Sequence, residues 1–325
     1  MIKVSIILPA YNAQEYIGTA IESILNQSYS NFELLIVNDG STDGTLKIIK
    51  EYGKKDSRIR ILNKKNEGVS SARNKALQIS QGKYVCFVDS DDALDKEYLK
   101  EMIHYFESND VELVLCRHEK FHDQYRKEID IHRNTVNYNG CNKYEFLFNK
   151  NYAGYMHSKM FLKRIIDNDQ LLFDEDLSML EDELFVVKYL QKANKVIATS
   201  DMLYKYRVRP DSISRKYDNN TKWFSVLTSL QRITDTSQDM TDAQKAKLAY
   251  KKIYFLSDAK YRLKYVDDHK NKMSHIFDQE ISKLTNRYKK YFTIQQKTKI
   301  WLYRHLNSIT FRLRELYKKK VYKYV

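Results

Sequence analysis

Five short β-branched runs constrain the fold of this chain more than any other feature. VSIIL, ELLIV, IRIL, YVCFV and ELVLC fall within residues 1–120, separated by stretches whose apolar residues recur three or four apart. Strands alternating with helices in this way predict an α/β fold, a mostly parallel sheet flanked by helices. In such sheets ligands sit in the crevice beyond the carboxyl ends of the strands. The first run is followed by Pro9-Ala10-Tyr11-Asn12, the second by Asn38-Asp39-Gly40-Ser41 and the fourth by Asp89-Ser90-Asp91-Asp92. Polar and acidic residues therefore gather at one edge.

Periodicity fades from residue 121 to 180, where the pattern predicts loops, short strands and a helix near Tyr144 to Phe148. LEDELFVVKYLQKA, residues 180–193, is an amphipathic helix; KVIATS reads as a strand, and YRVRPDSIS follows around Pro210. Residues 220–325 hold no proline or glycine and read as successive helices, the last with Leu302, Leu306, Ile309, Leu313 and Leu316 at four-three-four-three spacing. The expected boundary is near Lys216. It separates residues 1–215, in two parts at 1–120 and 121–215, from a helical basic region at 216–325.

The net charge of +14 belongs to that second region: residues 241–325 carry 22 Lys and Arg against 7 Asp and Glu, whereas residues 1–240 carry 34 against 35. Residues 281–325 hold 13 basic side chains and a single acid, Glu315, a strong local field. Cys86, Cys116 and Cys141 lie far apart without CxxC spacing, which argues against a disulfide framework or a thiolate zinc site and fits a reducing compartment. MIKVSIIL reads as a strand running into Pro9 rather than a signal peptide, and no apolar run approaches the roughly 18 residues of a membrane span. The expectation is a cytoplasmic chain, soluble or peripheral on the inner face of the cell membrane.

Three carboxylates crowded at a strand end repel one another unless a cation offsets them. Magnesium or manganese suits hard oxygen ligands and takes one or two carboxylates, completing its shell with water and phosphate; a solvated acidic turn capping the next helix is the competing reading. Asp39 could accept from a base edge while Gly40 and Gly44 let backbone approach a nucleoside, or the segment is only a strand-to-helix turn. Arg73, in NEGVSSARN, is either a surface arginine or a planar fork for base or phosphate. Glu181 and Asp182 open a helix whose other face is apolar; they complement the helix dipole, or one of them takes a proton during transfer to a hydroxyl. Arg207, Arg209 and Ser212 form a basic loop that could meet a diphosphate. His157 and Lys159, with Glu181, are the acceptor-side candidates, against the plainer reading of a packed histidine.

Together these segments resemble the family 2 glycosyltransferases, the inverting GT-A group that builds bacterial surface polysaccharides. VSIILPAYNAQEYIGTAIESILNQSYSNFELLIVNDGSTDGT, NEGVSSARN, YVCFVDSDD, LEDELF and YRVRPDSIS stand in the family's order and cover about residues 1–215. The resemblance implies a Rossmann-like GT-A domain, with a nucleotide-binding part at 1–120, where Pro9, Ala10, Tyr11, Asp39, Arg73 and Asp89 meet the nucleotide, and an acceptor part at 121–215. It further implies Asp91 as direct metal ligand with Asp89 beside it, Asp92 as structural, Arg209 and Ser212 at the diphosphate, and Asp182 as catalytic base. The donor would be a UDP-sugar, the cofactor Mn2+ or Mg2+, and the acceptor a glycan or a lipid-linked molecule. One departure stands out: the family's frequent Asp-Asp-Gly-Ser reads Asn38-Asp39-Gly40-Ser41.

The region from Lys216 onward inherits nothing from this resemblance. Its helices either pack ordinarily, form a homo-oligomer seam along the Leu302 to Leu316 stripe, or lie on an anionic membrane with Trp301 and Phe311 as anchors. Positive charge interleaved with tyrosine also raises nucleic-acid binding, but the acidic edge would repel phosphate and argues against it. A nucleotide-sugar-binding scaffold without catalysis is the remaining alternative, opposed by the intact acids.

Overall fold

All five β-branched runs form strands. In the computed structural model, which describes residues 2–122, 131–149, 151–152, 155–209, 222–262, 270–306, 309–310 and 312, the chain divides into two units. One comprises Met1–Asp176 and Glu181–Ser214, the other Leu177–Leu180 and Arg215–Val325.

In the first unit, Val4–Ala10 (β1), Phe32–Asp39 (β2), Ile59–Lys64 (β3) and Tyr84–Phe87 (β4) run parallel in the spatial order β3-β2-β1-β4. Helices Ile17–Leu25 (α1), Thr45–Gly53 (α2) and Val69–Ile79 (α3) connect and cover them. Every residue of β1 and β2 is buried, which explains why these strands read as unbroken apolar runs rather than alternating ones. The periodic positions of α1 (Ile17, Ala20, Ile21 and Ile24) are its buried face.

The chain continues through Ala93–Leu94 (β5), Tyr98–Ser108 (α4), Leu113–Leu115 (β6), His118–Phe121 (β7), Thr135–Asn139 (β8), Lys159–Leu162 (β9), Lys163–Asn168 (α5), Glu181–Leu190 (α6), Lys195–Thr199 (β10) and Tyr204–Arg207 (β11). The main sheet extends as β3-β2-β1-β4-β9-β6-β10-β8. Strand β9 runs antiparallel between β4 and β6, and β8 antiparallel beside β10. The helix predicted near Tyr144 to Phe148 is a single 3-10 turn, Glu145–Phe148.

A second, three-stranded sheet, β5-β11-β7, is what positions the site. Strand β5 directly follows the DSDD segment, and its pairing of Leu94 with Tyr204 and Ala93 with Lys205 brings the 204–209 segment to the carboxyl end of β4. Residues more than 110 positions apart in sequence meet there, Asp92 accepting from the Tyr204 hydroxyl and from the Arg207 N–H.

The second unit holds Lys222–Thr236 (α7), Asp242–Arg262 (α8), Lys270–Tyr288 (α9) and Ile294–His305 (α10) around a core that includes Val226, Leu230, Ile253, Phe277 and Ile281. Met179 and Leu180 pack on that core, and Ser229 Oγ donates to the Met179 carbonyl at 2.6 Å. Helix α10 begins with a reciprocal cap between Thr293 and Gln296 and ends at His305, so the predicted leucine stripe does not continue as one helix through residue 306. Leu306 and Ile309 are exposed; Phe311, Leu313 and Leu316 lie outside the described residues, as does the boundary expected at Lys216. No helix among the described residues is long and apolar enough to cross a membrane.

Candidate functional site

The loops after β1 and β2 are tied into one ledge. Asn12, with φ +47°, donates its backbone N–H to Ser41 Oγ at 3.0 Å and accepts from the Thr42 N–H at 2.8 Å; Ala13 N–H donates to Thr45 Oγ1 at 2.8 Å. Pro9 and Ala10 are buried in β1, while Tyr11, the next residue, stands half exposed beyond the strand. Gly40 adopts φ +70°, and a Cβ there would sit 2.6 Å from the Asn66 nitrogen, so the close approach of the two loops requires glycine. A cavity of about 540 Å³ opens beside it, lined by Asn38, Gly40, Asn63 and Lys64 among others. A similar one of about 550 Å³, lined by Gln81–Tyr84, Leu162–Arg164, Asp110 and Asp167 among others, lies at the amino end of β4, the end opposite the DSDD segment.

Asp39 is buried and already engaged. Its carboxylate accepts from Lys64 Nζ at 2.6 Å, from the Glu67 N–H at 3.0 Å and from the Gly68 N–H at 2.8 Å. These bonds fix the entry to α3, whose cap residue Gly68 has φ +94°. Helix α3 in turn carries Arg73 and Asn74 inward, both buried.

The DSDD carboxylates have unequal surroundings. Asp92 is sealed, accepting from the Tyr204 hydroxyl at 2.7 Å and the Arg207 N–H at 2.8 Å; burial, then Asp89 and Asp91, push its proton affinity well up. The Tyr204 hydroxyl also accepts from the Asp89 N–H at 3.2 Å, so one side chain braces both ends of the turn. Asp89 is the most open of the three, its side chain 38% exposed. Asp91 lies 2.8 Å from Arg209 Nε, and burial followed by its neighbour Asp89 raises its pKa. Arg207 does not face this opening: its guanidinium donates to the carbonyls of Asp91 and His122 and lies over Phe121 and Tyr16. Tyr16 also underlies Arg209, with the guanidinium 4.9 Å from the ring centre.

Arg73 joins this turn to the start of α6. It reaches Asp89 Oδ1 at 3.3 Å through Nη2 and Glu181 Oε1 at 3.4 Å through Nη1, and it lies 5.3 Å over the Phe173 ring. Asn74, its neighbour, clamps the Phe173 backbone on both sides, donating to its carbonyl at 3.0 Å and accepting from its N–H at 2.8 Å. Phe173 then stacks on Phe185 of α6 at 4.2 Å, with Phe87 of β4 edge-on to both. Each such aromatic pair is worth about 0.5–1.5 kcal/mol beyond area burial, enough to hold α6 in one register against α3 and β4. Asp182, in the first turn of α6, is thereby held among charges. Burial and Glu181 raise its pKa to about 7, while Arg73 pulls the other way.

His157 and Lys159 lie behind the site. Lys159 is buried, its ammonium donating to the carbonyls of Tyr152 at 2.9 Å and Tyr155 at 2.5 Å, and so holds the backbone leading into β9. His157 is a packed, neutral ring between Tyr155 and Tyr204; burial, then His118 and Lys159, depress its pKa well below the ordinary value. Ser212 lies outside the described residues. The structure adds Tyr204, Tyr16, Phe173 and Lys64, which no local pattern signals because each meets its partner only through tertiary packing.

The fold is of the GT-A type, a parallel α/β core with its acids gathered at the carboxyl edge of the sheet. Residues 5–171 match the sequence profile of Glycosyl transferase family 2, more than half of the chain, and the chain belongs to that family. Uncharacterized glycosyltransferase EpsJ of Bacillus subtilis (strain 168) is 30% identical over 215 residues, 65% of this chain and 62% of EpsJ, so this chain spans under two thirds of that relative. Among solved structures, Staphylococcus aureus TarS 1-349 in complex with UDP-GlcNAc superposes with a TM-score of 0.64 at 22% identity, covering 88% of this chain and 89% of that one. Mannosyltransferase PcManGT from Pyrobaculum calidifontis, in complex with GDP-Man and Mn2+, gives 0.56 at 14% identity, with 98% and 88% covered.

Proposed function

We propose that this chain is an inverting glycosyltransferase that moves a sugar from a nucleotide diphosphate, UDP foremost, to a hydroxyl of a glycan or lipid-linked acceptor. The observation that carries it is the bridge made by Arg73, which touches Asp89 at the end of β4 and Glu181 beside Asp182, so that a single guanidinium spans donor-side and base-side acids. Tyr11, Pro9 and Ala10 form the nucleoside ledge. Asp39 shapes it by fixing the Lys64 to Gly68 segment, and Asp89 borders it.

Asp182 acts as general base. A carboxyl group raised to about 7 is half ionised near neutral pH and takes a hydroxyl proton more readily than an ordinary aspartate. Arg209, with Ser212 three positions on in the sequence, meets the departing diphosphate. A single in-line displacement then inverts the anomeric centre.

Asp91 and Asp89 fit a divalent ion, Mn2+ or Mg2+. Among the described residues no three His, Cys, Asp or Glu side chains converge on a common point, but this class of ion needs only one or two carboxylates when phosphate and water complete its shell. Burial first, and then the neighbouring Asp89 carboxylate, raise the pKa of Asp91 although Arg209 pulls the other way, and a divalent ion would relieve the remaining crowding. When bound, the ion would neutralise charge developing on the leaving diphosphate.

The test is a donor screen with manganese, reading nucleoside diphosphate released from UDP-, GDP- and dTDP-sugars, repeated with Asp182→Asn and Asp91→Ala. Asp182→Asn is expected to lose turnover while keeping UDP affinity, and Asp91→Ala to lose metal-dependent UDP binding as well. Full activity in either variant, or no release from any donor, would overturn the reading.

A further inference from the structure

Tyr155 is the outermost ring of an aromatic column that ends at the acidic turn. It lies parallel to His157 at 5.2 Å and 8°, and His157 lies on Tyr204 at 5.0 Å and 25°. The Tyr204 hydroxyl bonds Asp92 and the Asp89 backbone, so the column is anchored at its inner end. His157 and Tyr204 are buried, whereas Tyr155 is 53% exposed. Its inner face is therefore covered by a parallel ring and its outer face is open.

Exposed tyrosines are common, and most carry no function. This one differs in being held rigid from beneath and in standing on the α6 side of the site. The charges of Asp182 and Glu183 act on its hydroxyl, which places the ring within electrostatic reach of the proposed base. The ledge at Tyr11 is the separate place for a nucleoside.

We propose that the outer face of Tyr155 is the platform on which a pyranose ring of the acceptor stacks, with an acceptor hydroxyl turned toward Asp182. This rests on the glycosyltransferase reading above. The face of an aromatic ring carries negative quadrupole charge, and one face of a pyranose presents a flat set of weakly positive C–H groups, so the two match over the whole ring. An acyclic polyol has no such face. The acceptor class is thus a pyranoside rather than a polyol chain.

Saturation-transfer NMR tests this on the full chain with UDP and diamagnetic Mg2+ present, using methyl glucopyranoside, methyl galactopyranoside and methyl N-acetylglucosaminide as probes and ribitol as the contrast. At least one pyranoside is expected to show saturation on the C–H protons of a single face in the wild type and in Tyr155→Phe. Tyr155→Ala should bind it roughly tenfold more weakly at an unchanged melting temperature, since stacking of this kind is worth about 1 kcal/mol or slightly more. Equal binding in Tyr155→Ala, equal binding of ribitol, or no pyranoside signal in the wild type overturns the platform. The UDP signal in the same sample separates the two claims: if UDP binds and the pyranoside arm fails, only the platform falls, and if UDP does not bind, the donor reading falls with it.

Discussion

Replacing Arg73 with methionine removes the charge between the two groups of acids while keeping a long side chain over Phe173. Arg73 works against the burial and Glu181 effects that hold the Asp182 pKa at about 7. A cation within about 7 Å of a carboxylate contributes roughly 2 kcal/mol at an effective dielectric constant of about 20, or about 1.5 pK units. Solvent access at Asp182 and ionic screening reduce this to about one unit. A base works when deprotonated, so turnover rises with pH through its pKa. The acid limb of the rate profile should therefore move from near 7 in the wild type to about 8 in Arg73→Met.

Stability changes with it. Breaking a buried pair by removing one partner costs roughly 3–5 kcal/mol, and the partial solvation of Asp89 and Glu181 discounts this to about 2. The sign of the pH dependence follows from the raised pKa: stability from protonated Asp182 is fully present below the ordinary aspartate value of 3.8 and is lost as pH climbs through about 7, a window the variant extends upward. The assay is nucleoside diphosphate release from the donor across the neutral range, with thermal melts at matched pH. An acid limb that stays at the wild-type pH in Arg73→Met would refute the placement of Arg73 against Asp182.

Gly40→Ala should lower stability by about 1–3 kcal/mol and weaken UDP binding, because it strains a left-handed residue and drives a methyl group into the 66 backbone; a melt and UDP titration matching the wild type would count against the two-loop ledge. Residues 281–325 should bring the chain onto anionic vesicles more strongly than neutral ones, with Trp301 and Ile294 exposed on α10 as the apolar contacts. Co-sedimentation that is negligible or equal for the two lipid compositions removes the membrane reading and leaves packing or self-association for that helix.

Much of the fold was legible because its signals are local. The runs around Ile6, Leu35 and Val85 are buried on both faces and so must be apolar throughout, and the amphipathic period of residues 180–193 could only be a helix. Strand β9 was not legible. KMFL is too short for a period to register, and its antiparallel place between β4 and β6 depends on pairing with residues far away. The 3-10 turn at Glu145–Phe148 has the same origin, four residues in which one apolar turn looks like the start of a helix.

The sequence by itself determined which residue types stand at the carboxyl ends of the strands, because turn chemistry and strand hydrophobicity are properties of adjacent residues. It singled out the DSDD segment, Asp39 and the Glu181-Asp182 pair, but each also had a plain structural reading. Tertiary structure decided what surrounds them: Tyr204 and the Arg207 backbone occupy Asp92, Lys64 and two backbone N–H groups occupy Asp39, and Arg73 spans Asp89 and Glu181. A carboxylate's proton affinity and its freedom to meet a ligand depend on burial and on charges a few ångströms away. Those neighbours come from segments up to 115 residues distant, and only the folded chain brings them together.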